Sequence, residues 1–267
     1  MLTVLLILIP LITGLLTFGL KGSGPKVLGL VSSLASLAVV AGALVQFQHA
    51  PEALQLSVPW IPQLGARFQV GLDGMGAMLC LLTAIAFLLV FITIYNRNYE
   101  RAGSFYGLML LSQAGLVGVF TAYDAMLFYV FWELALIPVY FLCSMWGGEK
   151  RIPVTFKFFI YTFTGSLLML VGIIYLYLQS PDRSFSYAAF TNLNLPAPGA
   201  VLVILAAVCG LCHQDADLPL SYLATGYLRA VSHAGNHDPV RGDGENGPLR
   251  YRSLAATRAA PGRVHVV

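Results

Sequence analysis

One acidic residue lies where an acid is expensive. Glu133 is about eight residues into a long apolar run, with Phe131, Trp132, Leu134 and Ala135 around it. A charge at mid-bilayer costs at least roughly 2.5–3.5 kcal/mol on insertion scales, so an acid kept there is a functional candidate. At helical spacing Tyr129 precedes it by one turn and Tyr140 follows two turns later, giving a Tyr-Glu-Tyr stripe. Pro138 has no N–H and so leaves a carbonyl near Glu133 without its helical partner, a weak point where water can enter. A carboxyl in low dielectric that answers a nearby cation can gain and lose a proton as the cation moves. The plainer alternative is a protonated carboxyl satisfied by a neighbouring helix, since low dielectric favours the neutral form. Spacing leaves a proton relay and a cation site both open.

Lys157 is the second candidate, with Tyr161 and Thr164 on the same face at i+4 and i+7. It stands near the start of its apolar run, where a four-carbon stem can carry an ammonium to the interface, so anchoring and proton handling both fit. Ser112 and Gln113 form a weaker polar spot, read as helix packing. Asp124 is read as a solvated turn residue that starts a helix. Cys209 and Cys212 have C-x-x-C spacing, but no second pair accompanies them. His233 and His237 are four apart, yet Gly235-Asn236 between them breaks the helix that a shared metal would need. No nucleophile–base pair, glycine-rich nucleotide fingerprint or metal cluster stands out in 1–212.

These side chains need elements to hold them, and composition says which. Of 267 residues, 58% are apolar and only 10% charged, against about 25% charged in ordinary soluble domains. Fifteen basic and twelve acidic residues give a net charge of +3, too little for counterion-release binding to nucleic acid. The partner is lipid. Hydrophobic stretches of spanning length, about 20 residues each, run over 2–20, 27–47, 73–95, 104–122, 125–147 and 154–178, with a seventh beginning near 199. Backbone in hydrocarbon must satisfy its own hydrogen bonds, so the spans are helices. The expectation is an all-α polytopic membrane bundle of about six complete helices and the start of a seventh.

The first stretch has no basic residue ahead of it and no small-x-small cleavage site after it, so it reads as a retained helix rather than a leader. The odd connections carry Lys21, Lys26, Arg97, Arg101, Lys150 and Arg151, and the even ones only Arg67 and Arg183. The positive-inside rule then places the N-terminus outside. The long outer connection over 51–71 holds Trp60 as an interfacial anchor.

The run Phe131-Trp-Glu-Leu-Ala-Leu-Ile-Pro-Val-Tyr-Phe-Leu142, then Trp146-Gly-Gly and Thr155-Phe-Lys-Phe-Phe-Ile-Tyr-Thr162, resembles subunit M of proton-pumping NADH-quinone oxidoreductase, respiratory complex I. Leu72-Asp-Gly-Met and Phe120-Thr-Ala-Tyr-Asp124 also fit, and the resemblance covers about 1–212. It implies an antiporter-like subunit of about fourteen helices in two inverted repeats, in which the fifth-helix glutamate pairs with a lysine on a broken seventh helix. Glu133 matches that glutamate. It also implies a subunit without cofactor and without direct NADH or quinone binding, which couples electron transfer elsewhere to proton movement beside other membrane-arm subunits, in a bacterial inner membrane. Subunits of multisubunit cation/proton antiporters or hydrogenase-linked membrane complexes are the alternative.

The chain departs from that pattern after Cys212. The resemblance implies a lysine and then a Phe-Pro-x-His-Thr-Trp-like run, where this sequence has His213-Gln-Asp-Ala-Asp-Leu-Pro-Leu-Ser-Tyr-Leu-Ala224. Reading the nucleotides one base later allows only Lys or Arg at Gln214, and permits Pro at Ala216, Pro-Phe over 219–220 and His-Thr-Trp-Gln over 221–224. The expected organisation is therefore an antiporter-like transmembrane portion over 1–212 and an out-of-frame, disordered tail over 213–267, truncated relative to the full fold and inactive alone.

Overall fold

The computed structural model describes residues 1–212 apart from 149, 192, 194 and 195. The helices are α1 (Leu2–Thr17), α2 (Gly24–His49), α3 (Gly74–Ile94), α4 (Ala102–Thr121), α5 (Ala125–Trp146), α6 (Arg151–Gln179), the short α7 (Tyr187–Thr191) and α8 (Ala197–Cys212). A hairpin of β1 (Leu56–Ile61) and β2 (Ala66–Val70) lies between α2 and α3.

Five of these helices, α2 to α6, are long and apolar enough to cross a membrane. The first predicted span is cut short. Its 16 helical residues reach about 24 Å, below the roughly 30 Å hydrocarbon thickness. The cause is local, since Gly19 and Leu20 donate to Leu16 and Thr17 in tight turns that end the helix. The chain from α1 to α6 is an integral membrane helix bundle.

Small residues let the helices approach, as the membrane interior requires. A Cβ on Gly14 of α1 would lie 3.1 Å from the Leu110 Cβ of α4, and one on Gly107 only 2.8 Å from the Thr17 hydroxyl. Across the other side of α4, a Cβ on Gly115 would meet the Ala135 backbone nitrogen at 2.6 Å, and Gly118 packs against the Phe131 ring. Gly29 of α2 leaves room for Tyr106, whose ring stacks on Phe91 of α3 at 5.8 Å. Thus α4 is the central helix, with α1, α2 and α3 on one side and α5 on the other.

The 51–71 connection is not an unstructured loop. Leu56 pairs with Val70 and Pro59 with Arg67, with a register shift between Pro59 and Ile61, the place where a proline without a donor fits a strand. Trp60 is 43% exposed on this hairpin, available to a headgroup layer.

Asp124 requires a correction. It starts α5 as expected, accepting from the backbone of Met126 at 3.0 Å and Leu127 at 3.1 Å. Far from being solvated, it is 1% exposed. The hairpin and the segment before α7 fold over it: Arg67 N–H donates to its other carboxylate oxygen at 3.1 Å, and Tyr123 N–H donates to Gln69. Ala125 N–H donates to Phe185 and Tyr187 N–H to Tyr123, closing this end of the bundle.

Candidate functional site

Helix α5 carries Glu133 on the side that meets α6. Its Oε1 atom is buried and has no hydrogen-bond partner among the described residues. Tyr129, one turn earlier, interacts through its hydroxyl with both Glu133 and Ser166 of α6. A carboxyl, a phenol and a hydroxyl therefore line up across the α5–α6 seam. Each can accept or donate a proton through its oxygen. Tyr140 lies further along the same seam, its ring 4.8 Å from that of Phe159.

Pro138 is buried within α5, which stays helical to Trp146. The missing donor frees the Leu134 carbonyl, the residue next to Glu133. The polar oxygen set at this level thus includes backbone as well as side chain.

Helix α6 turns Thr155, Thr162 and Ser166 inward as buried hydroxyls. Their spacing of seven and four residues is one helical face. Thr162 donates back to Phe158 and Phe159, both at 3.1 Å, and Ser166 to Phe163 at 2.9 Å. Lys157 and Thr164 stand on the outer side, both exposed, with Thr164 donating to Ile160 at 2.7 Å; Tyr161 is half-buried. Nine residues, about 13.5 Å of helix, separate Lys157 from Ser166. The structure thus brings Tyr129 and Glu133 together and leaves Lys157 away from them.

Ser166 is the member that sequence reading missed. A serine in an apolar helix ordinarily returns its hydrogen bond to its own backbone, and only the packing of α6 on α5 shows that its oxygen also faces Tyr129. Ser112 of α4 donates to the Ala135 carbonyl of α5 at 3.3 Å, consistent with a packing role. Gln113 beside it is wholly buried, with neither amide atom bonded to a described group, and Trp132 Nε1 is likewise buried without such a partner. No group of three or more metal-ligating residues converges among the described residues. The Cys209/Cys212 side chains, Gln214, His233, His237 and the whole of 213–267 lie outside the described residues.

Residues 122–223 match the family described as NADH:quinone oxidoreductase/Mrp antiporter, TM. The stretch holds Tyr129, Glu133 and Ser166 together. The chain is similar to a segment of these antiporter-like membrane subunits. It is 42% identical over 183 residues to the F(420)H(2) dehydrogenase subunit M of Methanosarcina mazei, covering 67% of this chain and 37% of that protein. It is 32% identical over 220 residues to the NADH-quinone oxidoreductase subunit M of Escherichia coli, covering 75% of this chain and 43% of that one. Respiratory complex I from Thermus thermophilus contains a chain that superposes with a TM-score of 0.69 at 29% identity, over 79% of this chain and 43% of that one. The membrane-bound sulfane sulfur reductase, an archaeal respiratory membrane complex, shares the fold at a TM-score of 0.76 and 21% identity, over 87% of this chain and 48% of that one. The chain spans about two fifths of the length of these curated relatives.

Proposed function

We propose that this chain supplies part of a proton-translocating membrane subunit, of the complex I subunit M type, in which Glu133 is the residue that takes up and releases the proton. The observation that carries this reading is the Glu133 carboxyl, one oxygen of which is buried with no partner among the described residues, with Tyr129 beside it and Ser166 beside Tyr129. A proton arriving at the seam finds an oxygen at each step from Ser166 to Tyr129 to Glu133. On this proposal neither NADH nor quinone binds at the seam; electron transfer belongs to companion subunits, and the membrane-arm subunits of a respiratory complex are the partners. Tyr140 extends the seam along α5, while Lys157, with Tyr161 and Thr164, serves as a secondary proton carrier near the start of α6 and apart from the Tyr129–Glu133 pair.

The location proposed is a bacterial inner membrane, with the N-terminus outside. Six cations, Lys21, Lys26, Arg97, Arg101, Lys150 and Arg151, fall on the three connections at one end of the alternating helices. That end is then inside. The segment 213–267 is proposed to be read one base out of frame, so that the cationic partner of Glu133 belongs at Gln214. Resequencing codons 200–216 tests this directly, and an unchanged frame overturns it.

The function is tested by Glu133→Gln and Glu133→Asp in the membrane complex that houses this subunit, measured in inverted vesicles. Glutamine should abolish most proton translocation while electron input to a soluble acceptor stays near wild type, and aspartate should restore part of it. Unchanged pumping by the glutamine variant would reduce Glu133 to a packing residue.

A further inference from the structure

At the end of the bundle opposite the hairpin, the chain builds a second polar feature that proton movement does not use. The turn between α1 and α2 and the turn between α3 and α4 enclose a pocket of about 340 Å³, lined by Lys21, Lys26, Asn98, Tyr99, Arg101 and Gly103 among others. Three of the described lining side chains are cations, and none of the described lining residues is an acid. They come from two different turns, so the cluster is a product of folding and not of local sequence. Lys26 is oriented by a 2.8 Å hydrogen bond from its ammonium to the Asn98 side-chain oxygen.

The walls are fixed. Tyr99 stacks on Phe105 with ring centroids 4.1 Å apart, Phe105 meets Trp146 edge-on at 5.2 Å, and the indole N–H donates to the Glu100 carbonyl at 3.0 Å. Arg101 is held at φ +55°, a left-handed conformation that side-chain-bearing residues rarely adopt. Gly103 admits no side chain, because a Cβ there would stand 2.6 Å from the Thr17 carbonyl oxygen. A turn pinned in this way fixes where the Arg101 side chain leaves the backbone at the pocket, which lowers the ordering needed on binding.

We propose that this pocket binds the phosphate of an anionic phospholipid. Basic pockets between transmembrane helices on the cytoplasmic side are suited to such headgroups. The pocket lies where α1 ends and α2 and α4 begin, at headgroup depth for helices that cross the bilayer. Exposed apolar side chains adjoin it, Phe18 at 45%, Leu20 at 41% and Val27 at 48%. They give acyl chains a surface to follow away from the phosphate, which a soluble anion would not use. The positive-inside rule accounts for cations on these turns, but not for their convergence on one pocket with no acid among its described lining residues.

The test is native mass spectrometry of the full 267-residue chain, purified in detergent and titrated with phosphatidylglycerol, with phosphatidylcholine as the neutral comparison. One tightly held phosphatidylglycerol is expected on the wild type. The triple variant K21Q/K26Q/R101Q should bind it roughly a hundredfold more weakly, given about 1 kcal/mol per basic residue at a membrane surface. The matched variant R97Q/K150Q/R151Q removes the same charge from the same end but leaves the pocket, and should keep the lipid. K21Q alone changes an exposed side chain, so a partial loss there reports on binding where the triple variant folds poorly. Equal weakening in the pocket and matched variants would overturn the proposal, as would displacement of the lipid by inorganic phosphate at comparable concentration.

Discussion

Asp124 shows how one side chain can hold three segments. Its carboxylate satisfies two first-turn donors of α5 and the Arg67 N–H of β2, and loss of such a cap costs about 1–2 kcal/mol. Asp124→Ala should therefore destabilise the chain by at least that much, with Asp124→Asn intermediate, in denaturant unfolding followed in detergent. Beside it, Tyr123 has its phenol pushed above the usual range, by burial first and then by Asp73 and Tyr187. A raised phenol favours folding while it is protonated, so that contribution is present below the ordinary value of about 10 and is lost as pH rises through the folded value. Stability should fall on going from about pH 8 to about pH 11, and Tyr123→Phe should flatten part of that fall. The juxtaposition of Tyr129 and Glu133 was legible in the sequence because residues four apart share one face of a helix. The burial of Asp124 was not, because it depends on two segments distant in sequence folding over it.

At the scale of elements, glycine on α4 sets how close α5 can come. Gly115→Ala would push its new Cβ into the Ala135 backbone, which cannot rotate aside. The expected cost is about 1–3 kcal/mol, together with a shift of α5 that separates Tyr129 from Ser166. A fall in unfolding midpoint accompanied by reduced proton translocation checks both parts. A neutral Gly115→Ala would mean that the α4–α5 packing is looser than the structure shows. The spans themselves could be read from hydropathy to within a few residues because lipid demands apolar length. The β1–β2 hairpin could not, since two short strands with a proline, Pro59, in the first carry little alternation. Nor could the inward face of α6 be read in advance. Its Thr155, Thr162 and Ser166 look like any scattered hydroxyls until α5 is packed against them.

For the molecule as a whole, the helices alternate in direction and collect positive charge at one end. Cysteines introduced at Lys21 and Arg97 should react with an impermeant thiol reagent from the inner face only, and one at Trp60 from the outer face only. The two inner positions reacting only from outside would invert the topology. In either orientation Glu133 lies well inside α5, Ala125–Trp146, and so between the two surfaces, which is what a proton carrier needs and a surface anchor does not. The central question is whether the Glu133 carboxyl exchanges its proton within the membrane. Infrared difference spectra of the chain in lipid bilayers, recorded as pH is changed, read the protonated carboxyl directly. A proton-exchanging Glu133 should give a carboxyl band that disappears as pH rises in the wild type and is missing from Glu133→Gln at every pH. Identical spectra from the two proteins would contradict it.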